Sequence, residues 1–116
     1  YEQVVVKFKG KNKIIKTRKL SYLGMIRGLC FRRKDFNEAL FFKFNRKIGY
    51  SIHSFFVFFD FLAVWLDDKN NVREIMIISP FRFIIKPKRP FYRLIEIPIN
   101  KSNKKLIDFF VGKRKI

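Results

Sequence analysis

The sequence predicts a mostly β fold: a small, compact β-barrel-like domain with one or two short helices, spanning residues 1–116 as a single unit. Three observations predict it. Short apolar runs of strand-forming residues recur along the chain, each bounded by clusters of Gly, Pro, Asn or Asp. Four prolines, at 80, 87, 90 and 98, and five scattered glycines leave little room for long helices. Hydrophobic residues make up 48% of the chain and sixteen residues are Phe, enough apolar material for a core despite the charge.

The elements follow in order. Val4 to Lys9 ends in apolar–polar alternation and meets a turn signal at Gly10-Lys11-Asn12, so Lys13 to Thr17 returns as its hairpin partner. Leu20 to Gly28 has a loose helical or irregular spacing, and Gly24 and Gly28 limit any helix to a turn or two. Ala39 to Phe44 reads as a strand ending in a basic turn at Asn45-Arg46-Lys47. Phe61 to Leu66, the turn Asp67 to Asn71 and the answering run Val72 to Ile78 form the clearest hairpin. Phe81 to Phe91 should be short strands and exposed loops, and Arg93 to Ile97 alternates with Glu96 as a strand does. Asn100 to Phe110 carries one short helix capped by Asn100 or Ser102.

Charge is the strongest functional signal. Twenty-seven Lys and Arg face nine Asp and Glu, a net of +18. Residues 1–34 hold eleven basic side chains against Glu2 alone, a net of +10. Residues 35–81 hold five against six, a net of −1, and residues 82–116 hold eleven against Glu96 and Asp108, a net of +9. An AT-rich coding bias would enrich Lys, but it explains neither the scarcity of acids nor the arginines. Such an excess strains the compact state and is the usual footprint of a polyanion binder. An anionic membrane surface is the main competing partner.

Gly28-Leu29-Cys30-Phe31-Arg32 resembles the Gly-Leu-Met-Phe-Arg element of the family known as domain of unknown function 192. Ala39-Leu40-Phe41-Phe42 matches its following strand, and Ile52-His53-Ser54-Phe55-Phe56-Val57 is similar to the Ile-His-Thr-Phe-Phe-Met signature of archaeal members. Phe61 to Asp67, Val72, Pro80 and Ile95-Glu96-Ile97-Pro98 have counterparts in the same order, so the resemblance covers nearly the whole chain. It implies a small β-rich, barrel-like domain and brings no established activity. Cys30 and Val57 stand where the family has Met, and Asp60-Phe61-Leu62 replaces its Pro-Leu/Ile-Asp.

Catalytic and metal patterns are sparse. Cys30 and His53 are the only residues of their kinds, and a nucleophilic pair would need them within hydrogen-bond reach. A structural zinc site needs more Cys or His than the chain has. Asp60, Asp67, Asp68 and Glu74 could offer oxygens to a hard cation, although Asp67-Asp68 before Asn70-Asn71 reads first as a turn. No phosphate-binding glycine motif occurs. Phe55 to Phe61 has almost no basic residues within it and reads as core, whereas Phe8, Phe31, Phe83, Phe91 and Tyr92 lie close to Lys or Arg and are candidates for base stacking.

These features predict a cytoplasmic, non-catalytic protein without cofactor or metal that binds structured RNA, with the ribosome as one such partner, through backbone phosphates. The single cysteine fits a reducing compartment. No signal peptide is expected, and the most apolar stretch, Phe55 to Leu66, falls short of the about 20 residues a spanning helix needs, so no integral membrane segment is expected. The predicted contacts are Lys7, Lys9, Lys11 and Lys13 on the first hairpin, where alternate positions share a face; Arg27, Arg32 and Arg33; Lys86, Lys88, Arg89 and Arg93; and Lys104, Lys105, Lys113, Arg114 and Lys115. DNA is less favoured because no helix-turn-helix or long basic helix is visible. The competing readings are a protein-binding adaptor and a small enzyme with a pocket near Cys30 and His53.

Overall fold

The computed structural model describes residues 2–19, 37–48, 57–82, 85, 87, 88 and 91–112. Cys30, His53, Leu20 to Gly28 and the family-like segments at 28–32 and 52–56 lie outside the described residues, as do Arg27, Arg32, Arg33, Lys86, Arg89, Lys113, Arg114 and Lys115.

Mostly β architecture is what the chain adopts. Strands β1 (Glu2–Phe8), β2 (Lys11–Lys19), β3 (Ala39–Ile48), β4 (Phe61–Leu66), β5 (Val72–Ile78) and β6 (Phe91–Pro98) form one sheet in the order β1-β2-β3-β6-β4-β5. All neighbours are antiparallel except β2 and β3, whose parallel pairing requires a crossover, here through residues 20–38. The sheet curls into a half-barrel. Its first strand meets the turn before its last: the Lys7 N–H donates to the Asn70 carbonyl at 2.9 Å, beside a parallel bridge from Lys7 to Asn71.

The first hairpin turns earlier than the Gly10-Lys11-Asn12 signal suggests. Its connection is Lys9-Gly10, both with positive φ (51° and 76°), as a two-residue hairpin loop of the right twist requires. Lys11 and Asn12 thereby join β2. The second hairpin matches expectation. Asp67 Oδ1 accepts from the Lys69 and Asn71 N–H groups at 2.8 and 2.9 Å, and Asn70 takes the left-handed conformation at φ 66°.

No turn forms at Asn45-Arg46-Lys47. β3 runs on to Ile48, and its pairing with β6 jumps from Lys43↔Arg93 to Ile48↔Phe91. The register shift leaves the polar triplet out of the ladder, and pairing resumes at Ile48 with the first residue of β6.

β4 is buried on both faces. Leu62, Val64 and Leu66 face the interior of the half-barrel, where they meet Val4 and Val6 from β1, Phe41 from β3, and Ile95 and Ile97 from β6. Helix α1 (Lys104–Val111) closes this interior with Ile107 and Phe110. Phe61, Ala63 and Trp65 point the other way into a second cluster with Leu40, Phe42, Phe59, Phe91 and Leu94. The short 3-10 turn Lys101–Asn103 leads into α1; Asn100 caps it by accepting the Asn103 N–H at 3.1 Å, and buried Asn103 donates its amide to the Pro98 carbonyl at 2.8 Å. Gly112, at φ 81°, ends the helix. No described helix is long and apolar enough to cross a membrane.

Candidate polyanion interface

The tip of the first hairpin and the C-terminal end of α1 meet through aromatic rings. Phe8 faces inward with Val4 and Val6 because the three alternate on β1. Its ring centroid lies 6.0 Å from Phe109 and 5.8 Å from Phe110, which are themselves 5.1 Å apart. Lys9 Nζ sits 5.1 Å from the Phe8 centroid, a cation–π contact at the turn. An open groove of about 610 Å³ follows this junction; its lining includes Phe8, Lys9, Lys11, Phe109 and Phe110, and also the acid Asp108. A smaller recess of about 370 Å³ shares Phe8 and Lys9 with it and has Lys7, Asn12 and Asn71 on its other walls.

The four hairpin lysines do not share one face. Directly paired residues of an antiparallel ladder point the same way. Lys11 therefore follows its partner Phe8, and Lys13 follows Val6, toward the inner face, while Lys7 and Asn12 point outward. Lys9 belongs to the turn itself. Lys9 and Lys11 nevertheless line one groove with Phe8, and Lys7 and Lys9 line a second recess beside the tip.

On α1, Lys105 is exposed and stands one turn before Phe109. Lys104 is engaged with Asp108 at 2.8 Å, which neutralises part of the acid beside the groove. Lys101, exposed in the preceding 3-10 turn, adds a cation that the sequence reading did not select. Among the described residues, Lys9 and Lys11 of the basic N-terminal segment line the groove at the hairpin–helix junction, and Lys105 stands one helical turn from its Phe109 wall. Two predicted contacts lie apart from it. The Lys88 backbone N–H donates to Glu74 Oε1 at 2.8 Å near β5, and Arg93 is half-buried in β6, where its Nη1 donates to Asn70 Oδ1 at 2.5 Å.

The aromatic expectations divide as well. Phe91 is 1% exposed and packs on Trp65 with centroids 6.3 Å apart, so it is unavailable for stacking on a base. Tyr92 is half-buried, and Phe31 and Phe83 lie outside the described residues. Val57, Phe59 and Phe61 are core, but Phe58 between them is 54% exposed and makes an edge contact at 5.5 Å with exposed Phe81. Sequence reading missed this pair because the Phe-rich run looks uniformly apolar, whereas its alternation decides which rings turn outward.

The acids serve local structure. Burial pushes the Asp67 carboxyl up, but hydrogen bonds from Asn71 and Lys69 and the nearby Arg73 outweigh it and hold the group below its ordinary range. Both its oxygens are used by the turn, since Asn71 Nδ2 also donates to Oδ2 at 3.0 Å. Among the described residues no three His, Cys, Asp or Glu side chains cluster as metal ligands would. Glu96 is the exception to the expected alternation. It lies opposite Leu40 on one side and Ala63 on the other, inside the outer apolar cluster, and burial pushes its carboxyl up to about 8. The Trp65 Nε1 on the same face is also buried without a hydrogen-bond partner among the described residues.

Two solved structures share this fold. One is a candidate transcription regulator from Sinorhizobium meliloti 1021, with a TM-score of 0.71, 15% identity, and coverage of 88% of this chain and 81% of that one. The other is a protein of unknown function from Novosphingobium aromaticivorans DSM 12444, with a TM-score of 0.72, 15% identity, and coverage of 90% and 76%. At that identity the likeness concerns the fold alone. No family model and no curated protein matches the chain.

Proposed function

We propose that this protein is a non-catalytic, cytoplasmic RNA-binding protein, with ribosomal RNA as one target, and that the hairpin–helix junction makes the principal contact. The observation that carries this reading is the groove in which Lys9 and Lys11 flank the Phe8–Phe109–Phe110 cluster. Lysines there supply phosphate contacts, and partly exposed ring edges supply sequence-tolerant apolar contact. The net charge of +18 supports the same reading through long-range attraction. Membership of the domain-of-unknown-function 192 family belongs to this proposal too, supported by the order of the matched segments and by the β-rich half-barrel.

Fluorescence anisotropy with a labelled ribosomal RNA fragment over a range of salt tests the reading. Affinity should fall steeply and log-linearly as salt rises. Duplex DNA in the same titration separates RNA from DNA. A salt-independent response, or no binding near physiological salt, rejects nucleic acid as the partner. The exposed Phe58–Phe81 pair favours a protein-binding adaptor as the second reading. That adaptor would bind with little salt dependence and lose its partner on Phe58→Ala.

A further inference from the structure

A second charged site lies at one mouth of the half-barrel, separate from the hairpin–helix junction. Lys43 on β3 is the direct antiparallel partner of Arg93 on β6. Such partners share a face with their Cβ atoms about 5 Å apart, where like charges destabilise the pair. By alternation with Phe41 and Ile95, both cations belong to the interior face. Glu2 belongs to it by alternation with Val4 and Val6 on β1. These side chains and Asn70 wall a pocket of about 280 Å³ whose floor includes buried Val4 and Phe41.

Two atoms at this mouth are buried without a hydrogen-bond partner among the described residues: Arg93 Nε and Glu2 Oε2. The groups are nevertheless positioned. Arg93 Nη1 is tied to Asn70 Oδ1, the Glu2 carbonyl accepts the Thr17 hydroxyl at 2.8 Å, and the register of β3 against β6 shifts directly after Lys43. An orphaned guanidinium N–H and an orphaned carboxylate oxygen are each costly when buried, so both call for a complementary group. Bulges are enriched beside binding sites, where they re-aim a side chain.

We infer that the mouth pocket binds a small molecule carrying an oxyanion, phosphate or carboxylate, with a hydrogen-bond donor beside it. Arg93 Nε–H and the Lys43 ammonium hold the oxyanion, and the oxyanion relieves the repulsion between them. Glu2 Oε2 accepts from the neighbouring hydroxyl or ammonium of the same ligand. The volume lies at the small end of ligand pockets, which suits a compact polar metabolite.

The test is calorimetric titration of the full chain with inorganic phosphate, glycerol 3-phosphate, acetate and lactate. Saturable one-to-one binding is expected, tighter for glycerol 3-phosphate than for phosphate, or for lactate than for acetate; whichever pair binds identifies the oxyanion. Lys43→Met, at an exposed position that tolerates change, and Arg93→Gln should each weaken binding by about tenfold or more. Glu2→Gln should erase the advantage of the hydroxyl-bearing ligand. The double variant Lys9→Gln/Lys11→Gln should leave small-ligand binding unchanged while lowering RNA affinity, which keeps the two sites distinguishable. Absence of saturable binding, or binding insensitive to Lys43→Met, overturns the inference whatever the RNA result.

Discussion

Phe8 at the end of β1 meets Phe109 of α1 edge-on, with centroids 6.0 Å apart and planes at 61°. That contact joins segments about a hundred residues apart in sequence and sets the lysine-bearing hairpin tip against the end of α1. Phe109→Ala should destabilise the fold by about 2 kcal/mol, since the ring is only half-buried. Urea denaturation measures the loss. RNA affinity should fall as well, with its salt slope unchanged, because no charge is removed.

Lys9 and Lys11 line the groove from the turn and the start of β2. Changing each to Gln should reduce the slope of log affinity against log salt by about 1 per residue. Lys88→Gln, on a residue lying apart from the junction, should change that slope little. Equal effects at all three positions would indicate diffuse attraction without a defined groove.

Glu96 makes stability depend on pH in an unusual direction for an acid. Burial raises its folded pKa to about 8, so the folded state holds a proton that the unfolded state releases above its ordinary value near 4.5. The contribution is fully present below the unfolded value and is lost as pH rises through the folded one. The slope between them is at most about 1.4 kcal/mol per pH unit. Glu96→Gln should flatten thermal stability between pH 5 and pH 8 and raise it at the alkaline end. Melting curves at several pH values would show a steeper decline in the unaltered protein.

Gly10 holds φ at 76° in a two-residue turn, with open space where a Cβ would project. Gly10→Ala should therefore cost about 1 kcal/mol through backbone strain alone. Asp67→Ala should cost about 1 kcal/mol at the other hairpin by removing the acceptor for two backbone N–H groups. Asp67 is partly exposed, so solvent limits the loss. The Asp67 contribution should also fade in acid as the carboxylate protonates, opposite in sense to Glu96. Denaturant titrations at neutral and acid pH measure both effects.

Local patterns made several elements legible. Asp67 to Asn71 carries its own hydrogen-bonding acceptors, so the β4–β5 hairpin is written into adjacent residues. Asn100 likewise announces its cap. The Asn45-Arg46-Lys47 triplet misleads for the opposite reason: local polarity suggests a turn, but β3 continues through it and pairs with β6 again at Ile48. Glu96 shows the same limit, because alternation marks which side of a strand it faces and not whether that side is covered.

Composition and pattern by themselves determined a β-rich chain with an apolar, nearly neutral middle and two strongly basic ends. Those properties depend on residue identity and short spacing. Only the tertiary structure decided that Phe8 joins the hairpin to α1, that Lys7 and Lys11 point to opposite faces of the hairpin, and that Lys43 stands opposite Arg93 at the barrel mouth. Each depends on strand register and on the curl of the sheet. Register and curl arise from contacts between segments far apart in the chain, where no local pattern records which residues will meet.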